Sequence, residues 1–409
     1  MIKRDLIVFL GTILLVVSFF ASAASAAITK GPVLLRLDQN RAVVMFETDS
    51  KGAGSIDVKG TVASVGKFST NIDVVDDIKG KDVYIHQASL TGLMAGKDYT
   101  YRITSPEVGA KEYKFKTIPV KLDKFQFVVY GDTRTKPKRH RSVVEQIIKT
   151  KPLFVVVSGD LVSKGSIYEQ WDSQFFGPIK GLGESTPIYA TQGNHDLSKQ
   201  KYFERLFVPK GESNNFAFEV GPLYYYCLDN FASNMDKWLD ILTKNVKASD
   251  SVWKFASYHI PSLNVGGHSS AWGYPRALPA VSKAGVDFVV TGHSHVYERF
   301  LPVAPLKGSQ GSYVTHITSG GGGAPNYKIA KSDILAKTLN CLHFCLFEID
   351  GNKLTMKVID DKGAIIDRLE ISKSNGRVND EYISTAISIE KAHAAIEEIK
   401  NKKKNKKKK

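Results

Sequence analysis

Five apolar runs in this chain each end on an oxygen or imidazole donor, and that repeated device constrains the fold more than any other feature. Val155-Val156-Val157 closes on Ser158-Gly159-Asp160, and Phe127-Val128-Val129-Tyr130 closes on Gly131-Asp132. Ile188-Tyr189-Ala190 leads through Thr191-Gln192-Gly193 into Asn194-His195-Asp196. Phe255-Ala256-Ser257-Tyr258 ends on His259, and Phe288-Val289-Val290-Thr291-Gly292 ends on His293-Ser294-His295. Short apolar runs bounded by Gly read as buried strands. In α/β sheets, ligands bind at the carboxyl ends of the strands. Five separated segments therefore deliver their donors to one crevice.

Asp132, Asp160, Asn194, His259, His293 and His295 supply three oxygen ligands and three imidazoles. Hard oxygens with borderline nitrogens suit Fe, Mn or Zn and exclude a soft copper site. A carboxylate such as Asp160 can bridge two cations, and a two-metal site clamps the in-line displacement of an ester at phosphorus. His293 and His295, two residues apart in a turn, can diverge and reach one metal each. His195 can point inward without ligating. With Asp196 beside it to orient and charge its ring, it is placed as a general acid for the leaving oxygen. A single Gly-Asp or a single His means little; the information lies in the ordered set.

Length and composition set the frame. At 409 residues the chain exceeds one typical domain and is long enough for a large core without staples. Lys3 and Arg4, an apolar run of 15 residues from Leu6 to Phe20, and small residues from Ala21 to Ala27 have the layout of a secretory signal cut after Ala23 or Ala26. The chain is thus expected to be exported, to the periplasm or outside the cell. Three cysteines give no disulfide framework. Cys341 and Cys345 read as one strand and would stand about 13 Å apart, too far to bridge. Of the net charge of +15, seven Lys lie in the last nine residues, so the body is only mildly basic. That tail, residues 401–409, is expected to be solvated and disordered, with attraction to an anionic surface or polymer as its functional reading. No specific nucleic-acid recognition is expected.

Along the chain, residues 27–118 alternate as an all-β sandwich. Leu93-Met94-Ala95-Gly96-Lys97-Asp98-Tyr99 matches the tyrosine corner of fibronectin type III-like domains. His86 there reads as structural. Residues 119–124 read as a linker. From 125 to 375 strands and helices alternate, with hairpins late in the chain, which predicts a four-layer α/β/β/α sandwich. Helices are expected over 139–150 and 234–246, and an amphipathic C-terminal helix over 376–400.

The ordered motifs resemble those of the calcineurin-like metallophosphoesterase superfamily. More narrowly they resemble its purple acid phosphatase-like branch, in which a fibronectin-like domain precedes the catalytic one. Thr29-Lys30-Gly31-Pro32, His295-Val296-Tyr297-Glu298-Arg299 and Ser319-Gly320-Gly321-Gly322-Gly323-Ala324-Pro325 support the narrower match. The resemblance implies a metal-dependent phosphoric ester hydrolase with two ions. Asp132, Asp160 and His295 would hold one; Asp160, Asn194, His259 and His293 would hold the other. His195 would be the acid, and His268 resembles a substrate-contacting residue. Two positions depart from the pattern. Arg134 stands where many members have a His ligand, and Ser163 where purple acid phosphatases have a ligand Tyr. Arg134 is expected to clamp a substrate phosphate with its planar fork; the other arrangement is an ion pair that replaces positive charge at a depleted site. The function expected is hydrolysis of phosphomonoesters or phosphodiesters. The alternatives are a nucleotide or phospholipid diesterase, or a non-catalytic surface protein with a decayed metal site.

Overall fold

The computed structural model describes residues 28–50, 54–60, 64–78, 80–104, 111–231, 234–268 and 271–406. The expected signal segment and the last three Lys lie outside them.

Two four-stranded antiparallel sheets form the N-terminal sandwich. One runs, in spatial order, Ile28–Leu37, Ala42–Thr48, Lys81–Leu90, Asn71–Ile78; the other runs Ser64–Ser69, Ser55–Gly60, Asp98–Thr104, Glu112–Lys116. Alternate residues of both sheets, among them Leu34, Val44, Phe46, Ile56, Val58 and Tyr101, fill the space between them. Tyr99 closes the corner: its hydroxyl accepts the Met94 N–H at 2.7 Å. His86 is buried, bonded to Thr48 Oγ1 (2.9 Å) and Thr70 Oγ1 (3.1 Å), and stacked on Phe46. It is a structural residue.

The second domain holds two seven-stranded sheets face to face. In the first, Ile188–Ala190, Val155–Val157 and Lys124–Tyr130 are parallel neighbours, followed by the antiparallel strands His343–Asp350, Lys353–Asp360, Ile365–Ser374 and Arg377–Val378. In the second, Leu223–Cys227, Trp253–Tyr258, Phe288–Thr291 and Thr315–Ser319 run parallel. Strand alternation sorts the side chains. Phe127 and Val129 face the other sheet; Phe127 stacks on Phe347 of its neighbouring strand at 5.1 Å and packs edge-on to Phe255 of the other sheet at 5.4 Å. Val128 and Tyr130 face outward onto Val143, Val144 and Ile147 of helix Pro137–Thr150. On the far side, Leu242 and Val246 of helix Met235–Ala248 and Val281 of helix Tyr274–Ala284 cover Tyr226, Ala256 and Val289. The result is the α/β/β/α layering expected from the sequence.

Several local expectations change. Helix Tyr274–Ala284 was hidden by Pro275 and Pro279. Cys341 precedes the strand that begins at His343, so it does not share a strand with Cys345; all three thiols are free. The C-terminal region is a strand, a short helix Asp380–Ser384, and a helix Ile389–Lys406 that continues into the Lys run. Ile389, Ala392 and Ile396 of this last helix pack on Leu263, Val265, Tyr274 and Leu278, so it supports the segment that carries His268.

The sandwich and the second domain share a buried polar contact. Glu47 accepts from Thr29 Oγ1 (2.6 Å) and Lys30 Nζ (2.5 Å), and from the Tyr168 hydroxyl across the interface. Breaking a buried pair by removing one partner is costly because a charge stays behind unpaired. Glu47→Ala is therefore expected to lower unfolding free energy by about 3–5 kcal/mol, read by urea denaturation. A change within experimental error would mean that Lys30 finds water in the variant.

Candidate active site

Parallel pairing sets the site. Val157 is in register with Tyr130 and with Ala190, and Tyr258 with Thr291, so the loops that carry Asp132, Asp160, Asn194, His259 and His293 leave the same edge. Asp132, Asp160 and His293 have φ of +59°, +58° and +69°. Such conformations are strained for non-Gly residues and cluster at functional sites. Each of the three follows a glycine, and close approach shows why. A Cβ on Gly159 would lie 2.5 Å from His259 Nδ1, and one on Gly193 would lie 2.1 Å from Asp160 N. The Gly-Asp and Gly-Asn-His motifs are thus the loops' packing solution.

The hydrogen bonds fix the imidazole tautomers. A carbonyl can only accept, so His259 donates Nδ1–H to Ser158 O (2.8 Å) and His295 donates Nδ1–H to Pro325 O (2.7 Å). The Nε2 lone pair of His259 then faces Asn194 Oδ1 at 3.1 Å and Asp160 Oδ1 at 3.3 Å. The Nε2 of His295 faces Asp132 Oδ1 at 3.4 Å. Lone pairs opposed at these distances call for a cation. His293 Nδ1 lies 2.9 Å from Asn194 Oδ1, and burial pushes its ring down to about 3, so it is neutral as a ligand must be.

Asp132 is fully buried, and neither carboxylate oxygen has a hydrogen-bond partner among the described residues. A buried carboxylate without donors needs a positive partner. Donor atoms of Asp132, Asp160 and His259 lie within 4.8 Å of one another, a group able to hold a metal ion. The donor set therefore fits a cation at Asp132, Asp160 and His259, with Asn194 and His293 beside it.

The other expected residues fall as follows. His195 comes to the site: its N–H donates to Asp160 Oδ1 (2.9 Å) and its Nδ1–H to Ser163 O (2.7 Å). Asp196 does not orient it, contrary to expectation. The Asp196 carboxylate turns under the loops and accepts four backbone N–H groups: Asp160 (2.9 Å), Gly193 (2.8 Å), Leu161 (2.8 Å) and Val162 (3.2 Å). His268 stacks on His293 at 4.3 Å and bonds the Tyr327 hydroxyl at 3.2 Å. Arg134 takes the ion-pair arrangement in place of the expected free clamp. Its Nε donates to Asp160 Oδ2 (3.1 Å) and its Nη2 to His295 Nε2 (3.3 Å).

Tyr327 was not foreseen. Its ring stacks on His295 at 4.2 Å, and its hydroxyl meets His268. The available signal was an aromatic residue two positions beyond the Gly-rich Ser319–Pro325 run. That run is tied to the first ligand loop: Gly131 N–H donates to Ser319 O (2.9 Å) and Ala324 N–H to Asp132 O (2.8 Å).

Ser163 is no ligand. Its hydroxyl bonds Thr135 Oγ1 and Gln174 Oε1, each at 2.8 Å. The iron-loaded protein is therefore expected to lack an intense visible tyrosinate band. A strong band on iron loading would show that a tyrosine, Tyr327 being at hand, has moved onto the metal.

A calcineurin-like phosphoesterase family model matches residues 125–297. The chain is 27% identical over 309 residues to purple acid phosphatase 18 of Arabidopsis thaliana, covering 68% of each chain. It is 24% identical over 375 residues to the probable inactive purple acid phosphatase 1 of the same plant, covering 73% of this chain and 57% of that one. Its fold is similar to that of the purple acid phosphatase PPD1 from yellow lupin (Lupinus luteus) seeds, with a TM-score of 0.74 at 18% identity over 86% of this chain and 75% of that one. Fold, donor loops and family model together mark residues 125–297 as a calcineurin-like phosphoesterase domain, of the class of metal-dependent phosphoester hydrolases. Over two thirds of its length the chain is similar in sequence to a purple acid phosphatase, and its fold is similar to that of another.

Proposed function

We propose that this chain is an exported phosphoesterase that hydrolyses phosphomonoesters or phosphodiesters at the crevice around Asp160. The observation that carries the reading is the buried Asp132 carboxylate, without a donor, beside Asp160 and the Nε2 lone pair of His259. Iron, manganese or zinc bound among these donors would supply Lewis acidity toward the phosphoryl oxygens and lower the pKa of water. The protein's own groups do the rest. His195 has Nδ1–H committed to Ser163 O, so the protonated ring presents Nε2–H to the leaving oxygen. His268 and Tyr327 stand at the rim as donors to the ester's non-bridging oxygens.

The experiment is hydrolysis of p-nitrophenyl phosphate and bis(p-nitrophenyl) phosphate by the full chain supplied with Fe, Mn or Zn. Turnover of either ester supports the proposal, and the preferred ester assigns mono- or diesterase. No turnover with any metal would favour a second reading, a non-catalytic surface protein. Arg134 lying between Asp160 and His295 is the observation on that side, together with one relative named as probably inactive.

Export rests on residues 1–26 and is tested by the mature N-terminus, expected at Ala24 or Ala27. The Lys-rich residues 401–409 are proposed to attract an anionic surface or polymer. Unchanged binding to anionic vesicles at low salt after their deletion would remove that role.

A further inference from the structure

We propose that the centre of this chain consists of one metal ion and one guanidinium, with Arg134 permanently filling the position of a second metal. The inference rests on the phosphoesterase reading of the site and names its cation content.

Three of the donors expected around the first ion are Asp132, Asp160 and His295. Arg134 already uses two of them, with Nε on Asp160 Oδ2 at 3.1 Å and Nη2 on His295 Nε2 at 3.3 Å. Asp132 alone is left, and it lies in the group with Asp160 and His259 that can hold an ion. One ion there gives the Asp132 oxygens their missing partner. A second ion would have only donors already taken. The residues present therefore fit one ion and do not fit two.

The guanidinium is also built in from behind. Its Nη1 donates to Thr135 Oγ1 at 3.1 Å. Thr135, a β-branched residue, is held at φ +76°. Such a conformation persists only where the surroundings over-determine it. Here they do: Gln174 Oε1 accepts the N–H of Thr135 (2.8 Å), the N–H of Ser163 (2.9 Å) and the Ser163 hydroxyl (2.8 Å), and that hydroxyl also meets Thr135 Oγ1 (2.8 Å). Ser163 stands where the resemblance places a ligand Tyr. The two departures from the family pattern are therefore one change. Where the resemblance implies a His ligand in many members, or a Tyr ligand in purple acid phosphatases, this chain has a cation of its own and a small residue that helps to seat it. Guanidinium stays charged at every working pH, so the position keeps its positive charge without metal.

The test is metal content per chain, by elemental analysis of the purified full chain equilibrated with Mn(II), Zn(II) or Fe(II), in the wild type, Arg134→His and Arg134→Ala. The wild type is expected to hold about one ion and Arg134→His about two, since imidazole adds a ligand while freeing Asp160 and His295. Electron paramagnetic resonance of the Mn(II) forms is the companion readout: an isolated-ion spectrum in the wild type and a spin-coupled one in Arg134→His. A wild-type content of about two ions overturns the proposal, as does a content of none. One ion in the wild type and in both variants also overturns it, because Arg134 would then not be what excludes the second. These readouts do not depend on turnover. One ion per chain without ester hydrolysis would sink the phosphoesterase reading and leave the cation assignment standing.

Discussion

Replacing His195 with alanine is expected to lower kcat by about 10²–10⁴-fold, the range general acids contribute, while metal content stays at the wild-type level. The distinction follows from how the residue is held. Its backbone N–H donates to Asp160 Oδ1 at 2.9 Å and its ring donates Nδ1–H to Ser163 O at 2.7 Å. Alanine keeps the first bond and loses only the ring, so the ligand loop retains its shape. The effect should depend on the leaving group. An ester whose leaving alcohol is very acidic needs no proton, so the deficit should shrink for p-nitrophenyl phosphate and grow for an alkyl phosphate. Equal losses for both esters, or a loss of metal, would show that His195 acts by holding the Asp160 loop.

Asp196→Ala should have the larger effect on the fold. The carboxylate serves four buried amides on the two loops that carry Asp160 and Asn194. Leaving a buried donor unsatisfied costs about 1–3 kcal/mol, so four of them cost roughly 4 kcal/mol or more. That is a large part of the ~5–15 kcal/mol that holds a domain together. The variant is expected to melt well below the wild type and to lose metal and turnover together. Asp196→Asn keeps one acceptor oxygen and should fall between. A wild-type melting temperature with reduced kcat alone would return Asp196 to the role of His195's orienting partner.

Asp196 shows where the sequence stops informing. Asn194-His195-Asp196 places an acid beside a His, and adjacency suggests a pair. In a tight turn neighbouring side chains diverge, and the acid turned toward the amides of residues 160–162, more than thirty positions earlier. Nothing local to the motif records that. Arg134 is a similar case. Its guanidinium is directed by Asp160, His295 and Thr135, and Thr135 is held by Ser163 and Gln174, which only the fold brings together.

The gathering of the strand-end donors was legible for a physical reason. Loops packed so closely that a Cβ does not fit must carry Gly before the donor, and that leaves a repeated written mark. The layering was legible because runs buried on both faces, such as Phe127 to Tyr130, read as apolar throughout. Tyr327 lies in a loop and carries no such mark. Helix Tyr274–Ala284 was obscured because proline is ordinarily a break signal.

The most direct measurement of the central claim is ester hydrolysis by the wild-type chain before chelation, after exhaustive chelation, and after return of Mn, Zn or Fe, with Asp160→Asn run in parallel. The account predicts turnover that is abolished by the chelator, restored by metal, and absent from Asp160→Asn under every condition. Turnover that survives chelation, or that Asp160→Asn retains, would contradict it.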